Sequence, residues 1–170
     1  MGSGFEVGPG VQGSRFGSWF EPDRLWWSDG TLSALHSGTM GAITSHEDLV
    51  AWQLSEQLKD RVFEITATEA VVRDRYFCED IRRAARSAPA NLAEGFYRFR
   101  PRDTARFVRI AIGSLGETIN HLGHARKQHF ISDAEADELV TLAKRAKGAS
   151  SAWLAYLLTC PPDGPVKRSR

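Results

Sequence analysis

The sequence predicts an all-α protein: an antiparallel up-down four-helix bundle with a kinked second helix and a disordered amino-terminal arm. Two observations carry that prediction. Apolar residues recur at spacings of three and four along four long stretches between residues 45 and 160. Capping residues, Gly and Pro punctuate the short links between those stretches. No strand-like alternation competes with them. At 170 residues the chain has room for one ordinary domain.

Composition breaks near Met40. Residues 1–41 hold nine of the fifteen glycines and three of the five tryptophans, Trp19, Trp26 and Trp27, with no helical period. Ordering so glycine-rich a backbone costs entropy that no apolar pattern here offsets, so residues 1–44 are expected to form a disordered arm. Two readings stand for it. It is an extension ahead of a true start at Met40, or a docking tail using the aromatics of "FGSWFEPDRLWW". The bundle is expected over residues 45–160, and residues 161–170 form a basic tail ending "VKRSR".

The first helix is expected from about 46 to 67, with Ser45 and Asp48 spaced as a capping box. Val50, Leu54, Leu58, Val62 and Ile65 form its stripe. The second carries Phe77, Ile81, Ala84, Ala85, Ala88, Leu92 and Phe96, and contains Pro89, which has no N–H for the Ala85 carbonyl. In the third, Ala105, Val108, Ile112, Leu115, Ile119 and Leu122 make a heptad seam, with Pro101 suited to the first turn. The fourth opens at Ser132 with Glu135 three on, then shows Leu139, Leu142, Ala143, Ala146, Ala149, Trp153 and Leu157. Pro161 and Pro162 stop it.

Charge is the main functional signal. From Ile81 to Ile110 there are eight arginines against Glu94 and Asp103, a local +6 on a chain whose total is +1. A basic belt on a slightly acidic body attracts polyanions locally. Arg102, Arg106 and Arg109 follow at four and three along one stripe, and Arg98 and Arg100 lie in the link before them. Forked guanidinium donors suit successive phosphates, and Tyr97 and Phe99 could stack on bases. The competing reading is a charged bundle face whose arginines pair with Glu94, Asp103 or Glu117, within the chain or between subunits. Arg82 and Arg83, deep in the second helix, belong with that structural reading.

Other constellations point away from chemistry. Ser87, Asn91 and Glu94 line one edge beside Pro89, where Asn91 could satisfy the carbonyl that Pro89 frees. No acid or nucleophile converges on Glu94, so no catalytic residue is assigned. Glu117, His121 and His124 share a helix face, with His129 beyond, but no second helix offers the Glu-x-x-His of a bundle di-metal site. No metal or cofactor is assigned. Gly113 and Gly116 in "IGSLGE" are expected where another helix approaches closely. Cys78 and Cys160 are too few for a disulfide framework and lack metal-ligand spacing. The absence of a long apolar run or a secretory start fits a cytoplasmic protein with no membrane partner.

"LVAWQ" in the first helix, "IRRAARSAPANLAEGF" in the second and "ARFVRIAIGSLGE" in the third resemble the four-helix bundle proteins called 23S rRNA intervening-sequence proteins. The likeness runs from about residue 47 to 158, and the segment Tyr97-Arg98-Phe99-Arg100 departs from it by replacing a more polar link. The resemblance implies a bundle that assembles into a homo-oligomeric ring, a pentamer, without enzymatic activity. Some relatives are encoded inside insertions in ribosomal RNA genes. A distant cousin is the accessory protein of diversity-generating retroelements, which works with a reverse transcriptase and nucleic acid.

The resulting expectation is a non-enzymatic oligomer binding RNA or another nucleic acid through Tyr97, Arg98, Arg100, Arg102, Arg106 and Arg109. Arg82, Arg83, Pro89, Asn91 and Glu94 are assigned to architecture or subunit contacts. The alternative is a protein-interaction scaffold whose arginines meet acidic partners or neighbouring subunits.

Overall fold

The computed structural model describes residues 43–164. The amino-terminal arm, but for its last two positions, and residues 165–170 of the tail lie outside the described residues. A short 3-10 turn, His46–Asp48, precedes four helices: α1 (Val50–Thr66), α2 (Arg75–Phe96), α3 (Pro101–Lys127) and α4 (Asp133–Thr159). Helix α1 packs beside α2 and α4, and α3 packs beside the same two. With short links between consecutive helices, that arrangement is an up-down bundle.

The chain enters α1 later than its periodicity implies. The Asp48 carboxylate accepts from the backbone N–H groups of Ser45 and Thr44 at 2.9 and 2.8 Å, and Ser45 Oγ accepts from Glu47 N–H. That cap closes only one 3-10 turn. The α-helix starts after Leu49, whose extended backbone turns the chain. Val50 consequently points outward at 54% exposure, and Leu49 and Ala51 take the buried positions. At the other end of the sequence, Ser132 Oγ accepts from Glu135 N–H at 3.2 Å and opens α4 as its spacing predicts.

Pro89 lies buried inside an unbroken α2. Asn91 does not serve the carbonyl that Pro89 leaves free. Its Nδ2 donates to the Ser87 carbonyl at 2.7 Å and approaches Ser87 Oγ at 3.1 Å, because i to i−4 is the distance a short amide spans. Ser114 Oγ of α3 lies 2.8 Å from the same Ser87 hydroxyl, so this polar edge stitches α2 to α3.

The larger apolar cluster includes Leu58, Val62, Ile81, Leu115, Leu122 and Leu139. The buried polar side chains among the described residues are all hydroxyls. Ser55, Thr66, Thr104, Ser114, Thr118 and Ser150 each lie within hydrogen-bonding distance of the carbonyl four residues earlier. Such bonding removes the penalty of burying an unpaired hydroxyl. Helix α3 ends with His129 at φ 57°. There Phe130 N–H reaches back to the Ala125 carbonyl at 2.9 Å and His129 N–H to the Arg126 carbonyl at 3.1 Å. These two bonds form a Schellman motif, which usually places Gly where His129 stands.

The expectation of close helix approach at Gly113 and Gly116 is not met among the described residues of this chain. A Cβ at either position would meet nothing within 4 Å. The close crossing is at Gly95 instead, where a Cβ would lie 3.0 Å from Phe107 Cβ and 3.4 Å from the Thr104 carbonyl oxygen. There α2 and the start of α3 approach tightly, directly before the link that carries Arg98 and Arg100.

Candidate nucleic-acid interface

The up-down course gathers the start of α1, the end of α2, the start of α3 and the end of α4 at one end of the bundle. A smaller apolar cluster anchors that end: Ala51, Leu92, Ala105, Val108, Ala111 and Leu157, flanked by Trp52 and Trp153. The candidate interface stands on it.

The structure divides the arginines into two groups. Arg82 Nε donates to Thr66 Oγ1 at 2.7 Å and its guanidinium lies 5.2 Å from the centre of the Phe63 ring, tying α2 to α1. Arg83 pairs with Asp80 at 2.9 Å and lies 3.8 Å from Glu117 of α3. Arg98 pairs with Glu94 one turn back and sits over the Phe107 ring at 4.9 Å. These three, with Arg86 5.9 Å from the centre of the Phe63 ring, have partners within the chain.

Arg100, Arg102, Arg106 and Arg109 are exposed, and none has a carboxylate within 4.0 Å among the described residues. Asp103, the nearest acid in sequence, forms no such pair among the described residues. Four cations without an ion-pair partner among the described residues therefore crowd the first turns of α3, where Asp103 is the one acid of the first turn. Its opening N–H groups lack a side-chain cap, which adds to the positive potential.

Tyr97 is 56% exposed and also makes a contact within the chain. Its hydroxyl lies 3.1 Å from His46 Nδ1, and the His46 ring in turn meets Trp52 edge-on at 5.0 Å. This chain of contacts fastens the start of α1 to the α2–α3 link. Phe99, by contrast, is 85% exposed.

A feature that sequence reading passed over lies on the outer face of α3. Arg102, Arg106, Arg109, Gly113, Gly116, Asn120 and Gly123 repeat at four and three, a second heptad seam turned away from the core seam. A Cβ at any of its three glycines would meet nothing within 4 Å. Beyond the arginines, the seam consists of three glycines and exposed Asn120 over about 15 Å, at 1.5 Å per residue over ten residues. The spacing was legible; attention to apolar positions alone hid it.

The histidine face offers no metal cage. His121 lies 3.8 Å from Glu117, while His121 and His124 both lie against the Phe77 ring. Among the described residues no three His, Cys, Asp or Glu side chains converge. Nor is any helix of the described residues long and apolar enough to cross a membrane.

A cleft opens beside the arginines, about 500 Å³, between the start of α3 and the end of α4. Pro101, Ala105, Leu157, Leu158, Cys160 and Pro162 line it together with Arg102 and Arg109.

The solved structures include a similar bundle, a protein of unknown function from the S23 ribosomal protein family of Bacteroides thetaiotaomicron. It superposes with a TM-score of 0.57 at 16% identity, over 62% of this chain and 96% of that one. Such distant identity speaks for the fold alone. No curated protein matches the chain. The model of the 23S rRNA-intervening sequence protein family matches residues 47–150, which takes in all of α1, α2 and α3 and most of α4. The chain belongs to the family of 23S rRNA-intervening sequence proteins.

Proposed function

We propose that the protein is a non-enzymatic, cytoplasmic accessory that binds RNA or another nucleic acid through Arg100, Arg102, Arg106 and Arg109. One observation carries the reading: these four exposed guanidiniums, clustered at one bundle end, have no carboxylate partner among the described residues. Unpaired arginines retain their full capacity for bidentate phosphate contacts. Arg98, already held by Glu94, contributes field more than contact.

Titration of labelled RNA and of duplex DNA with nuclease-treated protein over a range of salt tests this. Four phosphate contacts give a log–log salt slope of roughly −3 to −4. Replacing Arg102, Arg106 and Arg109 together by alanine should flatten that slope by about 2 to 3. No binding at low salt would sink the proposal.

A second reading draws on the glycine-rich seam of α3. Gly113, Gly116 and Gly123 each weaken a helix by about 1 kcal/mol relative to alanine, and no contact among the described residues requires them. That pattern supports assembly into a homo-oligomer, with a second copy packing on the seam beside exposed Ile110. A ring of five copies would line up the arginine clusters. Sedimentation of the wild type and of Gly113→Leu decides it: loss of the oligomer with retained helicity favours the seam as an interface, and an unchanged species excludes it.

A further inference from the structure

We infer that the cleft between α3 and α4 receives an unpaired nucleotide, so that the preferred ligand is single-stranded or bulged RNA rather than a continuous duplex. The inference rests on the nucleic-acid reading above and adds to it the class of ligand.

The cleft joins two chemistries. Its floor is apolar, with Pro101, Ala105 and Leu157 buried, and Leu158 and Pro162 form an exposed wall. Arg102 and Arg109 stand on its rim two helical turns apart, about 10 Å along the axis. At about 500 Å³ it falls within the roughly 300–1,000 Å³ of sites for small organic ligands. A ligand matching it needs an apolar body with anionic groups to either side. A nucleotide within a strand has that form: the base enters the cleft and the flanking phosphates meet the two guanidiniums.

Phe99 extends the argument. It stands two residues before Pro101, within about 7 Å of it along the backbone. Unlike buried Phe96, it contributes nothing to the core and is 85% exposed. An aromatic face in water between Arg98 and Arg100 is a stacking platform for the neighbouring base. Paired bases in a duplex present neither a free face to Phe99 nor an edge that can enter the cleft. A-form duplexes offer proteins mainly backbone and 2′-hydroxyls.

The test compares a short unstructured RNA with the same strand annealed to its complement, by anisotropy with the full chain at one salt concentration. The single strand should bind roughly tenfold more tightly, and Phe99→Ala or Leu158→Glu should each remove roughly tenfold of that affinity. Both substitutions are at exposed positions, and circular dichroism confirms the helices. If the duplex binds as well as the single strand, the inference is overturned. It is equally overturned if both variants keep wild-type affinity while the triple arginine variant loses it, and the nucleic-acid reading then survives. If neither RNA binds at low salt, both readings fall.

Discussion

Gly95 and Phe107 meet where α2 crosses the start of α3, so closely that a Cβ on Gly95 would lie 3.0 Å from Phe107 Cβ. Both obstacles there, Phe107 Cβ and the Thr104 carbonyl, are fixed to backbone, so neither can swing away. Arg98 in turn sits over the Phe107 ring, so the crossing also sets where the basic link begins. Gly95→Ala should therefore destabilise the protein by about 1–2 kcal/mol, overpacking outweighing alanine's better helix propensity. A urea midpoint moving down with unchanged slope would confirm this. A midpoint moving up would mean that the helices separate without loss.

Thr66 and Arg82 provide a second measurable link between helices. Thr66 is buried, its hydroxyl bonds the Val62 carbonyl at 2.7 Å and it accepts from Arg82 Nε at 2.7 Å. Thr66→Val keeps the volume and removes the acceptor, so it should cost about 1.5–3 kcal/mol, as bonds to charged donors do. Arg106→Ala, which removes no described contact, should change stability by less than about 0.5 kcal/mol. Equal effects at the two positions would dissolve the division between structural and ligand-facing arginines.

What the sequence disclosed and withheld follows from this division. Helix number, order and caps were legible because apolar spacing and Ser45, Ser132 and Pro101 report on local backbone chemistry. The structural role of Gly95 was not, since a glycine required by a crossing and one on an open face, such as Gly113, look alike until helices are placed side by side. The cleft was hidden for the same reason: Arg102 and Leu158 are 56 positions apart and become neighbours only because α3 and α4 run antiparallel. Arg98 and Arg100 are near-equivalent in sequence, and only the carboxylate of Glu94 one turn back separates them.

His129 offers a gain in stability. It holds a left-handed φ of 57° at the end of α3, a conformation that a Cβ disfavours and glycine adopts freely. His129→Gly should stabilise the fold by about 0.5–1 kcal/mol, net of the looser unfolded chain. Calorimetry should show a rise in Tm of a few degrees.

The acid limb of stability should carry the signature of Asp48. The Ser45 backbone N–H, then the backbone N–H and the hydroxyl of Thr44, hold its carboxyl below its ordinary value. A carboxyl depressed in the folded state contributes stability above its unfolded pKa, near 3.9, and loses it as pH falls through the lower folded value. The cap should thus be intact at neutral pH and fail only below about pH 4. Asp48→Asn should be less stable than wild type at pH 7, and the difference should shrink on acidification below pH 4. A constant difference across that range would show that the ionised carboxylate is not what closes the turn.

The two thiols should differ in reactivity, and the difference reports on the cleft. Cys78 is buried, its Sγ–H directed at the Val71 carbonyl at 3.4 Å and the Thr66 carbonyl at 3.6 Å. Burial pushes its pKa up, against the opposing pull of Arg82. Thiolate is the reactive form, so Cys78 should label only as fast as the bundle opens. Cys160 is partly exposed in the cleft wall and should react without unfolding. A thiol reagent should then show one fast and one slow equivalent, with Cys160→Ser removing the fast one. Single-stranded RNA at saturation should slow the fast phase if a nucleotide occupies the cleft. An unaltered rate in the presence of bound RNA would place the ligand on the arginines alone, outside the cleft.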